Sequence, residues 1–109
     1  MSRAKGDFAE ERAVVYLQER AYIIVDRNYS SRFGEIDIIA QKDGVLHFVE
    51  VKSADEFELA IQNITSKKLS RIIKTAQMYM SKNCYDGAFT FDAIIVTPLE
   101  ISMVEDITI

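Results

Sequence analysis

The chain has one cysteine, one proline and four glycines in 109 residues, and each shortage removes a class of protein. Cys84 has no second cysteine to pair with, so there is no intrachain disulfide. With Asp86 and Gly87 close behind, it falls near a loop and carries no expected role. Proline and glycine are too sparse to build a linker, and no internal repeat or low-complexity tract is present. Residues 1–109 therefore read as a single domain, near the commonest domain size. No run approaches the roughly 18 apolar residues of a membrane span. The N-terminal "MSRAKGDFAEER" is charged where a secretory signal would be apolar, so a cytoplasmic location is expected. A basic surplus is missing too: 13 Lys and Arg face 17 Asp and Glu, for a net charge of −4. That lowers the expectation of a general nucleic-acid binder.

What is present is ample for one globular core, with 49% hydrophobic and 28% charged residues. Charge is distributed unevenly. "TSKKLSRIIK" holds Lys67, Lys68, Arg71 and Lys74 with no acid, whereas the last ten residues hold Glu100, Glu105 and Asp106 with no base. A local basic face is compatible with the acidic total.

Residues 4–20 have Ala9, Ala13, Tyr16 and Leu17 at helical spacing. "YIIVDRNY" reads as a first strand. "GEIDIIAQ" and "VLHFVEVK" alternate and are separated by Asp43-Gly44, the strongest short hairpin signal in the chain. The segment 54–64 is ambiguous. Thr65 is a plausible N-cap for a helix to about Ser81, with Leu69, Ile72, Ile73, Ala76 and Met80 on one stripe. "FTFDAIIVT" is a strand stopped by Pro98, and 101–109 reads as a short edge strand. The order is helix, three-strand meander, helix, strand and one further strand. A strand–helix–strand passage from 45 to 97 implies a right-handed crossover into the same sheet. The class is α/β with a mixed sheet.

A two-residue loop at Asp43-Gly44 pairs Lys42 with Val45. It then sets Asp37 opposite Glu50, and Glu35 opposite Lys52, all four projecting from one face by alternation. Opposed β-carbons lie about 4.5–5.5 Å apart. The Glu35–Lys52 pair is ordinary cross-strand attraction. Asp37 and Glu50 repel unless one is protonated or a cation lies between them. Mg²⁺ meets that need with a few carboxylate oxygens, keeping water and substrate phosphate as further ligands. A merely solvated face, its charges spread by twist or a bulge, is the competing explanation. His47 falls on the other face with Val45, Val49 and Val51 and reads as a partly buried structural residue. At about 100° per residue, Glu10 lies between Leu17 and Val14 on the core-facing stripe of the first helix, where a carboxylate requires a partner or an edge that reaches water. Glu11 points the opposite way.

These residues resemble a known family. "KGDFAEERAVVYL", "RNY…GEIDIIA", "FVEVK", Lys68 with "TAQMYM", and "FDAIIV" are similar to the YraN-type bacterial proteins, over nearly the whole chain and in order. That family is grouped with Holliday-junction resolvases in the PD-(D/E)XK, restriction-endonuclease-like nuclease superfamily. The resemblance implies a restriction-endonuclease-like core, with Asp37 as the metal-binding Asp, Glu50 and Lys52 as the E-x-K pair, and Glu10 as the helix acid. The chain departs from the family at Ala9, where Gly is common, and at Ser30, Ala54 and Thr90, where Arg is usual. Arg is the usual bidentate phosphate ligand, so the expected nucleic-acid surface is thinner.

The resulting expectation is a Mg²⁺- or Mn²⁺-dependent endonuclease acting on DNA, branched or linear, or on RNA, with DNA the favoured partner. Asp37 and Glu50 would hold the ion, with Glu10 as an additional ligand directly or through water. Lys52 would position the attacking water or neutralise the transition state. Glu35 would orient Lys52, and Lys68, Arg71 and Lys74 would contact phosphates. Two rivals stand beside it: a non-catalytic nucleic-acid-binding module of the same fold, and a homodimeric interaction domain using Phe8 and Val15 on the outer face of the first helix or the last strand as an edge.

Overall fold

The computed structural model describes residues 3–108, with side chains from Gly6 onward. Helix α1 (Arg3–Glu19) leads into strand β1 (Ile23–Ser30), then β2 (Glu35–Lys42) and β3 (Val45–Ser53). Two helices follow, α2 (Phe57–Gln62) and α3 (Ser66–Lys82), then β4 (Ala88–Val96) and β5 (Ile101–Val104). One five-stranded sheet runs β1-β2-β3-β4-β5. β3 and β4 pair in parallel and the other neighbours are antiparallel. This is the mixed α/β arrangement expected. No helix among the described residues is long and apolar enough to cross a membrane.

Local chemistry explains where the elements stop. Thr65 caps α3, its hydroxyl accepting from the Lys68 N–H. α1 and α3 both end on the same motif although neither has a glycine there. Ala21 takes φ 68 while the Ala21 and Tyr22 N–H groups return to the Gln18 and Leu17 carbonyls. Cys84 takes φ 52 while the Cys84 and Tyr85 N–H groups return to Ser81 and Met80. These are left-handed C-terminal caps that usually recruit glycine. The Asp43-Gly44 loop has both residues at positive φ, 53 and 78, as a primed hairpin turn requires.

The sheet is covered on both faces. Towards α1 lie Ala13, Leu17, Ile38, Ala40, Val49 and Ile94. Towards α3 lie Ile39, Phe48, Ile72, Ala76, Tyr79 and Phe91. The ambiguous segment resolves into α2, where Ala60 packs on Ala93 and Ile95. The last strand is shorter than the expected 101–109, of which Ile109 lies outside the described residues. It ends at Val104 because Asp106 adopts φ 55. The Asp106 N–H goes to the Asp92 carboxylate and the Ile107 N–H to the Phe91 carbonyl. The chain thereby turns off the sheet edge and tucks Ile107 against the core. Phe8 and Val15 are 65% and 49% exposed on α1.

Candidate metal centre

The register around the hairpin follows the predicted arithmetic, from Lys42↔Val45 to Ile38↔Val49. Just beyond it the alternation of β2 breaks. Ile38 packs towards α1 with Leu17, yet Ile36, two residues earlier, packs towards α3 with Phe48 and Ile72. Residues two apart in a regular strand share a face, so the strand turns over at Asp37. Neighbouring β1 is irregular at the same level, where Asn28 adopts φ 53, a region asparagine tolerates.

This irregularity frees the Asp37 carboxylate from either face. Its Oδ2 accepts the backbone N–H of Val51 at 2.8 Å, so the aspartate is fastened across β2 and β3 at the end of their paired region. Glu50 lies within hydrogen-bonding reach. The Asp37 carboxyl is raised from 3.8 to about 8, first by burial, then by its hydrogen bond with Glu50 and the charge of Glu50. The Val51 N–H and the Lys52 ammonium pull the other way and are outweighed. Without a cation Asp37 keeps its proton near neutral pH. Lys52 follows Glu50 by two residues in β3 and shares its face.

Two adjoining carboxylates at a strand end suit an ion such as Mg²⁺, which takes one or two protein carboxylates and completes its shell with water and phosphate. A third acid is not gathered in: among the described residues no three of His, Cys, Asp and Glu are grouped to hold a metal ion. Glu10 is instead held by Asn28, whose Nδ2 donates to Oε1 at 2.8 Å. The left-handed turn at Asn28 swings that amide towards α1. Glu35 aligns with Ser30 of β1.

The basic residues of α3 spread around the helix. Lys68 extends the stripe of Ile72, Thr75 and Tyr79 by one turn and is exposed. Arg71 lies against the 31–34 loop, since a Cβ on Gly34 would sit 3.4 Å from its Cβ. The Lys74 ammonium lies 5.5 Å from the Phe33 ring centre. Three residues were given no part of their own in the sequence reading: Asn28, Phe33 and Asp92. Asp92 is fully buried and holds His47 Nδ1 at 2.6 Å, which gives His47 a structural partner. "RN" before an aromatic and "RFG" before the hairpin were the available cues for the first two.

A five-stranded mixed sheet entered through a helix and a meander, with an acidic pair at the open end of its hairpin, is compatible with a restriction-endonuclease-like core. Residues 9–96 match the model of the Uncharacterised protein family UPF0102. A UPF0102 protein of Sulfurimonas denitrificans is 59% identical over 109 residues, spanning 100% of both chains. One from Wolinella succinogenes is 55% identical over the same span. One from Helicobacter pylori is 47% identical, covering 97% of this chain and 92% of its own. The chain belongs to the UPF0102 family, which is the family its motifs resembled.

Proposed function

We propose that this protein is a divalent-metal-dependent nuclease that hydrolyses phosphodiester bonds, its substrate DNA ahead of RNA and its location cytoplasmic. The observation that carries the reading is the fastened, part-buried Asp37 beside Glu50, with Asp37 pushed up to about 8. A structural pair would gain from losing one acid, whereas a cation site needs both. Kinship with the PD-(D/E)XK nucleases supports the same assignment.

Asp37 and Glu50 are the residues that would hold Mg²⁺ or Mn²⁺; bound there, the ion would supply an acidified water and neutralise charge at the scissile phosphate. Val51 contributes by fixing the Asp37 carboxylate through its N–H, so the pair is positioned before substrate arrives. Lys52 projects beside the pair and would hold the attacking water or offset the negative charge that builds on the phosphoryl oxygens. Glu10, whose Oε1 accepts from Asn28 Nδ2, would add a ligand directly or through water. Lys68, Arg71 and Lys74 would meet the strand's phosphates along α3.

A second reading is favoured by one observation. Glu10 Oε1 is engaged by Asn28, and a site left with two acids would suit a binding module of the same fold that no longer cuts. The experiment incubates end-labelled branched, linear and RNA substrates with the protein in Mn²⁺ or in EDTA. Metal-dependent scission that vanishes in both Glu50→Ala and Lys52→Met supports the nuclease. Binding without scission by wild type supports the module. A salt-insensitive dimer with no affinity for nucleic acid would instead assign the exposed Phe8 and Val15 to a homodimer interface.

A further inference from the structure

Phe33 stands in the short loop between β1 and β2, four residues ahead of Asp37. Four residues of chain span at most about 14 Å, which bounds the separation of the Phe33 and Asp37 α-carbons. The loop is rigidly seated. Ser31 accepts the Phe33 N–H at 3.0 Å and lies 2.8 Å, hydroxyl to hydroxyl, from Thr75 of α3. The Ser31 N–H closes the loop on the Gly34 carbonyl at 2.8 Å.

The half-buried ring so fixed has cations around it. The Arg32 guanidinium lies 4.9 Å from its centre and the Lys74 ammonium 5.5 Å. Beyond the ring opens a groove of about 590 Å³ lined by Phe33, Lys74, Gln77, Met78, Ser81 and Lys82. None of these six is acidic, on a chain whose net charge is −4. An aromatic face, an exposed thioether at Met78 and lysines along the walls suit an apolar ring flanked by negative charge. A nucleotide whose base is out of its stack has both. A base inside a duplex cannot present its face to Phe33, whereas single strands are held by aromatic platforms in cationic grooves.

We infer that the Phe33 groove seats an unstacked nucleotide, so that the strand led to Asp37 and Glu50 carries unpaired bases. This rests on the nuclease reading of the carboxylate pair for the strand's destination. Binding can nevertheless be measured apart from cutting.

The test uses a short oligothymidylate and a duplex of mixed sequence, both in EDTA at fixed salt. The chain contains no tryptophan, so Phe33→Trp introduces a single emitting indole at the platform. The expected result has three parts. Phe33→Trp binds the single strand within about threefold of wild type and its emission is quenched on binding, while Phe33→Leu loses about 5- to 150-fold, the range for one stacked base. Duplex affinity changes less than about twofold in either variant. Equal single-strand affinity for Phe33→Leu and wild type, or an unquenched indole at saturating strand, would overturn the inference, as would no single-strand binding by wild type. Metal-dependent cleavage alongside any of those results would leave the nuclease reading standing. Phe33-dependent binding without cleavage would do the reverse.

Discussion

Replacing Asp37 by asparagine should make the metal-free protein more stable, by an amount that grows with pH. The unfolded carboxyl ionises near 3.8, whereas the folded one keeps its proton up to about 8. Between those values the folded state binds more protons than the unfolded state, so stability falls as pH rises, by up to about 1.4 kcal/mol per unit, and levels off above about 8. The full displacement is worth on the order of 5 kcal/mol; relaxation and water entry reduce that to about 2–4 kcal/mol. Asparagine retains an oxygen for the Val51 N–H and cannot ionise. Asp37→Asn should therefore match wild type within about 1 kcal/mol near pH 4 and exceed it by about 2–4 kcal/mol at pH 8. In a domain of this size that is roughly 10–20 °C in Tm. Mn²⁺ at a hundred times its dissociation constant should return about 2.7 kcal/mol to wild type by linkage and nothing to the variant. Thermal unfolding followed by circular dichroism, from pH 4 to 8.5 with EDTA or Mn²⁺, measures all of it. A variant less stable than wild type at pH 8 without metal, or a gap that does not widen with pH, refutes the carboxylate-pair argument.

Two predictions address the scaffold. Asp92 accepts His47 Nδ1, the Asp106 N–H and the Thr90 hydroxyl while fully buried. Asp92→Ala should cost about 3–5 kcal/mol and speed hydrogen exchange at the Asp106 amide; a loss below about 1 kcal/mol would show that this network is not what pins the C-terminal segment. Ala21→Gly should stabilise by about 1 kcal/mol, because the exposed Ala21 pays for a left-handed conformation that glycine adopts freely. Urea unfolding at unchanged m-value is the measure, and a destabilised variant would contradict the cap assignment.

The elements with strong local signals were legible from the chain. Asp43-Gly44 set the hairpin and its register, Thr65 marked the start of α3, and the stripe of Ile72, Ala76 and Met80 predicted the face that is buried. The misses share a cause: each depends on contacts between segments distant in sequence. α2 is held by Ala93 and Ile95 from the far end of the chain, and its own six residues carry too little pattern to announce a helix. β5 stops because Asp92 captures the Asp106 amide. Glu10, singled out on the core-facing stripe of α1, accepts from an asparagine 18 residues away that no local pattern points to.

The candidate site itself shows how a correct register can still give an incomplete geometry. Counting from the turn sets Asp37 opposite Glu50 but treats both as side chains standing on one flat face. In the structure β2 turns over at Asp37, and Ile36 and Ile38 are buried on opposite sides of the sheet. Regular alternation would have left one of these isoleucines on the wrong side of its core. Burying both is worth roughly 1.5–3 kcal/mol each, enough to offset a local loss of ladder bonds. The same break presents the Asp37 oxygen to the Val51 N–H that the ladder gives up, so the carboxylate satisfies a backbone donor at the point where pairing ends. Hydrophobic demand on both faces of β2 thus supplies the force that fixes the acidic pair, and the pair's repulsion is the part of that arrangement left for a cation to relieve.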